Sequence, residues 1–187
     1  MIKVAHIVGN GESWADFKKI NETDFVIGCN ATKCKEADVT IVSDMRMCNQ
    51  IVHLAKWNRL EDVKNVPIIS GAKVTEWVTN TPEVSEWIQV YDTFDKEEWF
   101  EPFAMSSAHS AVLWAIKNNY TEIHVWGIDS YFAGHTFSYT DKMVPSLVKK
   151  DMDKVKRMAE LWKDNWDLII KQYPDINITL HRPEVGV

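Results

Sequence analysis

Short apolar runs closed by glycine or a small polar residue alternate along this chain with segments of helical spacing. The runs are IKVAHIV (2–8), DFVIGCN (24–30), VTIVSD (39–44), VPIIS (66–70), EIHVWGID (122–129) and INITL (176–180). Most are continuously apolar rather than alternating, as expected of parallel strands buried on both faces. Between them, Trp14, Phe17 and Ile20 recur at helical spacing, and residues 45–60 read as helical. SSAHSAVLWAIKNNY (106–120) reads as a mostly buried helix with a serine N-cap. Residues 151–173 form a strong amphipathic pattern through Met152, Val155, Met158, Trp162, Trp166, Ile169 and Tyr173. WIQVYD (87–92) fits an edge strand, and the rest of the Trp-rich stretch 72–104 reads as irregular or as short helices. Residues 130–150, with Gly134, Pro145 and many hydroxyls, read as a long, lid-like loop. The alternation predicts an α/β chain: a single Rossmann-like domain over 1–187, with a mostly parallel sheet and helices on both faces.

Composition narrows the functional classes. A chain of 187 residues is long enough for one core without covalent staples. Cys29, Cys34 and Cys48 are odd in number and show no C-x-x-C spacing, so three ordinary thiols and no metal site are expected. The net charge is −6, and the densest basic run, KKDMDKVKR (149–157), is diluted by two aspartates. That argues against nucleic acid as a main partner, because neutralising phosphates needs concentrated positive charge. No apolar run reaches the length of a membrane span. With no secretion signal, a cytoplasmic location is expected. The nine tryptophans suit a core, a homo-oligomer interface or a ring-stacking surface equally, and their number does not choose among these.

In a doubly wound sheet, ligands sit beyond the carboxyl ends of the strands. Gly9, Asn10, Gly11 and Ser13 follow the first run, Asn30 ends the second, and Ser43 and Asp44 end the third. Ser106 and Ser107 open the buried helix, and Gly127, Asp129 and Tyr131 follow the later strand. The glycines allow a tight turn and a close backbone approach to a ligand, and helix N-termini suit phosphate. The dinucleotide fingerprint is not met. Its third small residue would fall at Trp14, and Asn30 stands where an acid would hold the ribose, so NAD is disfavoured. No Walker lysine follows Gly9. Asn30 both donates and accepts, which suits a ribose, a base or a phosphate.

GNGES (9–13), CN (29–30), SSA (106–108) and YTEIHVWGIDSY (120–131), in this order, resemble the motifs of the bacterial sialyltransferase family, glycosyltransferase family 42. The likeness covers roughly residues 1–44 and 105–131, with a fainter echo in the last helix and strand. It implies binding of CMP-sialic acid as co-substrate, with no metal or other cofactor. By the family's motifs, Asn10 and Asn30 would contact the cytidine phosphate and ribose, and Ser106 and Ser107 would lie near the sugar and phosphate. Tyr131 would bond the phosphate and assist the leaving group, with the base near Gly127 and Asp129. The chain departs from the family at several positions. Ala108 replaces a glycine, Asp44 replaces an asparagine, and Phe137 replaces a phosphate tyrosine for which Tyr139 is the nearest substitute. The family's lid histidine finds only His135, out of register, as a candidate general base. His181 is a poorer candidate, and His109 and His124 read as structural.

Three functions follow. The first is a glycosyltransferase moving a sugar from a CMP-linked donor to a glycan or other hydroxyl acceptor. The second is a non-catalytic protein on the same scaffold that sequesters or senses a nucleotide, or binds a partner. The third is a magnesium-dependent pyrophosphokinase, for which Asp44 with Asp129 is the only evident carboxylate pair.

Overall fold

A computed structural model describes residues 2–43, 45–57, 65–94, 105–133 and 151–183, apart from the side chains of Glu12, Leu54 and Trp57. Its centre is a parallel sheet of seven strands: β1 (Val4–Val8), β2 (Phe25–Cys29), β3 (Val39–Val42), β4 (Val66–Gly71), β5 (Ile88–Phe94), β6 (Glu122–Trp126) and β7 (Asn177–Leu180). Their order across the sheet is β5-β4-β3-β2-β1-β6-β7. The helices are α1 (Met45–Trp57), α2 (Ala72–Asn80), α3 (Pro82–Ser85), α4 (Ser107–Lys117), α5 (Asp129–Ala133) and α6 (Met152–Gln172), with a 3-10 turn at Glu12–Asp16.

Side chains alternate across each strand, so an apolar strand feeds two cores at once. On one face Ala5, Ile7, Ile27, Cys29, Ile41 and Val125 pack under α4 and under Trp166 and Ile169 of α6. On the other, Val42, Ile68 and Ile88 lie under α1, α2 and α3. Val8 and Val26 lie there too, beneath Trp14 and Phe17. The chain steps from β1 to β5 in one direction, then returns through α4 to β6 and through α6 to β7. Right-handed crossovers place helices on opposite faces for opposite directions of travel, so this reversal explains the two covered faces. It also opens a switch point between β1 and β6, the usual ligand crevice of such sheets.

Three segments refine the sequence reading. Trp14 and Phe17 build only a 3-10 turn, and Ile20 is exposed. Two anchors three residues apart are satisfied by a single tight turn, so no longer helix is needed. The stretch 72–94, expected to be irregular or short helices apart from an edge strand, forms the short helices α2 and α3 and the edge strand β5. Pro82 restarts the helix at its first position, and Trp77 and Trp87 pack against the core under α1 and α2. The lid-like loop begins as α5, and its remainder lies outside the described residues, as do Trp99, Phe100 and Phe103. No helix among the described residues is long and apolar enough to cross a membrane. Cys29, Cys34 and Cys48 are buried and form no disulfide among the described residues, and burial pushes the Cys29 thiol up to about 12.

Histidines carry much of the polar bonding inside these layers. His109, fully buried on α4, lies 3.0 Å by Nε2 from the Trp162 carbonyl of α6, so Nε2–H donates there. Its ring packs on Trp166 with centroids 4.2 Å apart. On the other face His6 stacks on His124 at 5.3 Å, and His124 Nδ1 lies 3.0 Å from His181 Nε2. The His181 ring lies flat on Trp126 at 3.5 Å. Burial pulls the His109 and His181 pKa values down to about 4, helped at His181 by its histidine neighbours. Both folded values lie below the unfolded one, so the unfolded chain binds more protons between them. Stability should therefore be full above about pH 6.5 and fall as pH drops towards 4, by on the order of 3 kcal/mol for His109. Urea unfolding at stepped pH checks this, and His109→Gln should flatten part of the slope.

Candidate functional site

Parallel pairing brings the ends of β1, β2 and β6 to one level. Val8 pairs with Trp126 on one side and with Gly28 on the other. Gly9 therefore faces Gly127 across the switch point, while Asn10 and Asn30 sit two residues beyond paired positions on neighbouring strands. The two loops at the switch point are bonded together. Gly9 N–H donates to the Trp126 carbonyl and Gly11 N–H to the Gly127 carbonyl, both at 2.8 Å. A Cβ at Gly9 would lie 2.5 Å from the Gly127 carbonyl oxygen, and one at Gly127, whose φ is +64°, would lie 2.8 Å from that of Gly9. At Gly11 a Cβ would strike the Asp129 carboxylate at 2.5 Å. These glycines bring backbone close to backbone, so the space they clear is filled by the β6 loop.

That carboxylate is buried and accepts from Ser13 N–H at 3.2 Å and from the Ser13 hydroxyl. Ser13 and Asp129 thus hold the start of the 3-10 turn to the start of α5. Among the described residues both have their polar groups engaged with each other rather than facing the sheet edge.

Asn10, Asn30, Ser43 and Ser107 are arranged differently. Asn10 Oδ1 is buried with no hydrogen-bond partner among the described residues, an expensive state for a carbonyl oxygen unless a ligand or water completes it. Asn30 takes the left-handed conformation, φ 53°, which asparagine tolerates better than most residues. Its backbone is clamped: N–H donates to Ile41 at 2.9 Å, and its carbonyl accepts from Thr32 N–H at 2.9 Å and Thr40 Oγ1 at 2.7 Å. Its side-chain Oδ1 accepts from the Ser107 hydroxyl at 3.1 Å, and Ser107 Oγ lies 3.3 Å from Ser43 Oγ. Thr32 and Thr40 had no signal in the sequence, since threonines near strand ends are common.

Ser107 is the first residue of α4, so this cluster sits at a helix N-terminus. Ser106 is the cap. Its side chain accepts from His109 N–H, and His109 Nδ1 lies 2.8 Å from Ser106 Oγ and accepts Ser106 N–H at 3.0 Å. With Nε2–H directed at Trp162, Nδ1 is the acceptor nitrogen, so Ser106 is held for capping while Ser107 faces the asparagine. The N–H groups of Ser107 and Ala108 have no acceptor among the described residues, and the dipole there favours an anion.

Tyr131 lies on α5 and its hydroxyl donates to Asp167 of α6 at 3.0 Å. Burial, and then the Asp167 carboxylate, raise its pKa, so the phenol keeps its proton at neutral pH. Lys163 sits 5.7 Å from the Tyr131 ring centroid. The pairing with Asp167 was not anticipated; its only signal is that Lys163 and Asp167 are four apart on α6 and so share a face. Asp44 and His135 lie outside the described residues, as do Phe137 and Tyr139. Among the described residues no group of three or more His, Cys, Asp or Glu converges as a metal site.

The fold is similar to that of solved sialyltransferases. One is CstII from Campylobacter jejuni in complex with a substrate analogue, CMP-3FNeuAc: TM-score 0.55, 18% identity, covering 96% of this chain and 81% of that one. Another is the monofunctional alpha-2,3-sialyltransferase Cst-I from Campylobacter jejuni, with TM-score 0.57, 15% identity and coverage of 96% and 75%. A third is CST-II in complex with a trisaccharide acceptor and CMP, with TM-score 0.55, 15% identity and coverage of 95% and 80%. No family model matches the chain, and no curated protein matches it. At these identities the shared property is the fold: a parallel α/β sheet of Rossmann type, as the strand pattern predicts.

Gly127→Ala combines a positive φ with a backbone collision and should cost about 2–3 kcal/mol. Gly9→Ala should cost a similar amount through the collision alone. Urea midpoints at constant m-value measure both.

Proposed function

We propose that this chain binds a CMP-linked sugar of the CMP-sialic acid class and transfers the sugar to the hydroxyl of a glycan or other alcohol. One observation carries the reading. The Asn30 amide accepts from Ser107 at the first turn of α4, and the orphan Asn10 Oδ1 belongs to the loop of the adjacent strand, two residues beyond the Val8–Gly28 pair as Asn30 is. Those segments are also the ones whose motifs resemble the sialyltransferase family, and the fold is shared with solved sialyltransferases, one of them in complex with CMP and a trisaccharide acceptor. In the transfer, the acceptor oxygen attacks the anomeric carbon. The bond from that carbon to the phosphate oxygen breaks, its electron pair leaves with CMP, and the acceptor proton passes to a base. The α4 N–H groups and Asn30 would offer donors to the departing phosphate, where negative charge develops. Tyr131, which keeps its proton, would add a donor after releasing Asp167. His135 is the base proposed on the family's pattern.

A second reading, a nucleotide-binding protein without transfer, is favoured by the engagement of Tyr131 with Asp167 and by Ala108 in place of the family's glycine. The magnesium-dependent reading finds less support, because the Asp129 carboxylate is held by Ser13 and packed on Gly11.

Melting curves with CMP, CMP-sialic acid, UDP-sugars and ATP test the proposal. Cytidine nucleotides at about a hundred times their dissociation constants should raise Tm by several degrees, and the other nucleotides should not. No shift with any cytidine nucleotide would overturn it. Release of CMP from CMP-sialic acid, lost in Tyr131→Phe and His135→Ala, would exclude the binding-only reading; a Tm shift without release would establish it.

A further inference from the structure

We propose that Ser43 and Ser107 form a directed hydrogen-bond relay that fixes the Asn30 side chain with its NH₂ group facing the ligand. Ser43 is then a positioning residue, and the Asn30 subsite is selective for ligand acceptor oxygens. The inference deepens the reading of this edge as a nucleotide-sugar site and rests on it for the identity of the ligand.

The argument is proton counting. An amide oxygen can only accept, so the 3.1 Å contact between Ser107 Oγ and Asn30 Oδ1 uses the single hydroxyl proton of Ser107. Ser43 Oγ, 3.3 Å from Ser107 Oγ, then has one role open to it there: donor. The relay runs in one direction, from the end of β3 through the first residue of α4 to the end of β2. Bonds in such a chain polarise one another, so the last acceptor is strengthened and the NH₂ group beyond it becomes a better donor. The relay also opposes a flip of Asn30: a reversed amide would set its NH₂ against the Ser107 proton, which would have to turn away before Ser107 Oγ could accept.

The backbone clamp makes this fine control of the amide worthwhile. With Asn30 N–H and C=O both engaged, the side-chain rotor is the remaining freedom at this position, and the relay removes it. The Asn30 Nδ2 has no partner among the described residues, so its protons are available. Asn10 presents the opposite character one strand away, an orphan oxygen that requires a donor. The pair therefore fits a ligand with an acceptor oxygen on one side and a donor on the other, which is the chemistry of a nucleoside monophosphate's phosphate oxygens and ribose hydroxyls. Ser43 touches none of these atoms in this scheme; it acts through Ser107.

The test uses two readouts on the full chain. The first is the Asn30 side-chain NH₂ pair in ¹H–¹⁵N spectra without ligand, assigned by its loss in Asn30→Asp. The second is CMP affinity by calorimetry. Ser43→Ala should move the Asn30 NH₂ resonances and weaken CMP binding about fivefold, the scale of one neutral hydrogen bond. Ser43→Thr, which keeps the hydroxyl, should restore both. Thr93→Ala removes a hydroxyl remote from the relay and should change neither. An unmoved Asn30 pair in Ser43→Ala overturns the relay, as does a moved pair with unchanged CMP affinity. If the wild-type protein does not bind CMP, the nucleotide reading fails separately, and the NH₂ resonances alone then decide the relay. A Ser43→Ala protein that is merely less stable, with the Asn30 pair in place, assigns Ser43 a structural role and also overturns it.

Discussion

The contact between the β1 and β6 loops sets the geometry of everything at the carboxyl edge. Two N–H···O bonds at 2.8 Å join Gly9 to Trp126 and Gly11 to Gly127, at the place where the sheet reverses direction. Chains can meet this closely only without side chains, and the hypothetical Cβ distances at Gly9 and Gly127 show no slack. Because the loops are tied, Asn10 is carried to the level of Asn30, and the 3-10 turn is held by Ser13 on Asp129. The glycines fix the loop that carries Asn10.

The second dependence runs through α4. Its N-terminal turn must stay open for the cluster at Asn30 to have donors beside it, yet a helix end inside the protein must also be capped. Ser106 and His109 reconcile these demands. His109 holds the cap with one ring nitrogen and the Trp162 carbonyl of α6 with the other, which leaves Ser107 to face Asn30. A buried neutral histidine thus links the outer helix α6 to the polar edge. The same histidine, its pKa lowered by burial, is the group expected to weaken the fold in acid.

Much of this was legible in the chain. Six of the seven strands announced themselves as apolar runs with small polar ends, and WIQVYD marked the edge strand. Once they alternate with helices, the class of the sheet follows from the length of the crossovers. The site was legible as a set, because the strand-end rule nominates residues by position alone. It could not sort them. Ser13 and Asp129 look as available as Asn10 and Asn30 when read in line; they differ because the first two reach each other across 116 residues of chain. Tyr131 likewise reads as a free hydroxyl until α6 supplies Asp167. The 72–80 helix could not be told from irregular chain in the sequence, because two buried valines, Val74 and Val78, are too few to declare a period.

The sequence by itself determined the parallel α/β class, the edge on which polar residues gather, and the order in which they come. These depend on local properties: apolar runs, turn residues and crossover length. The tertiary structure alone decided which polar groups are occupied by one another and which remain open. That depends on strand register and helix packing, which bring together side chains remote in sequence, and no local pattern encodes the hydrogen bond that Ser107 donates to Asn30.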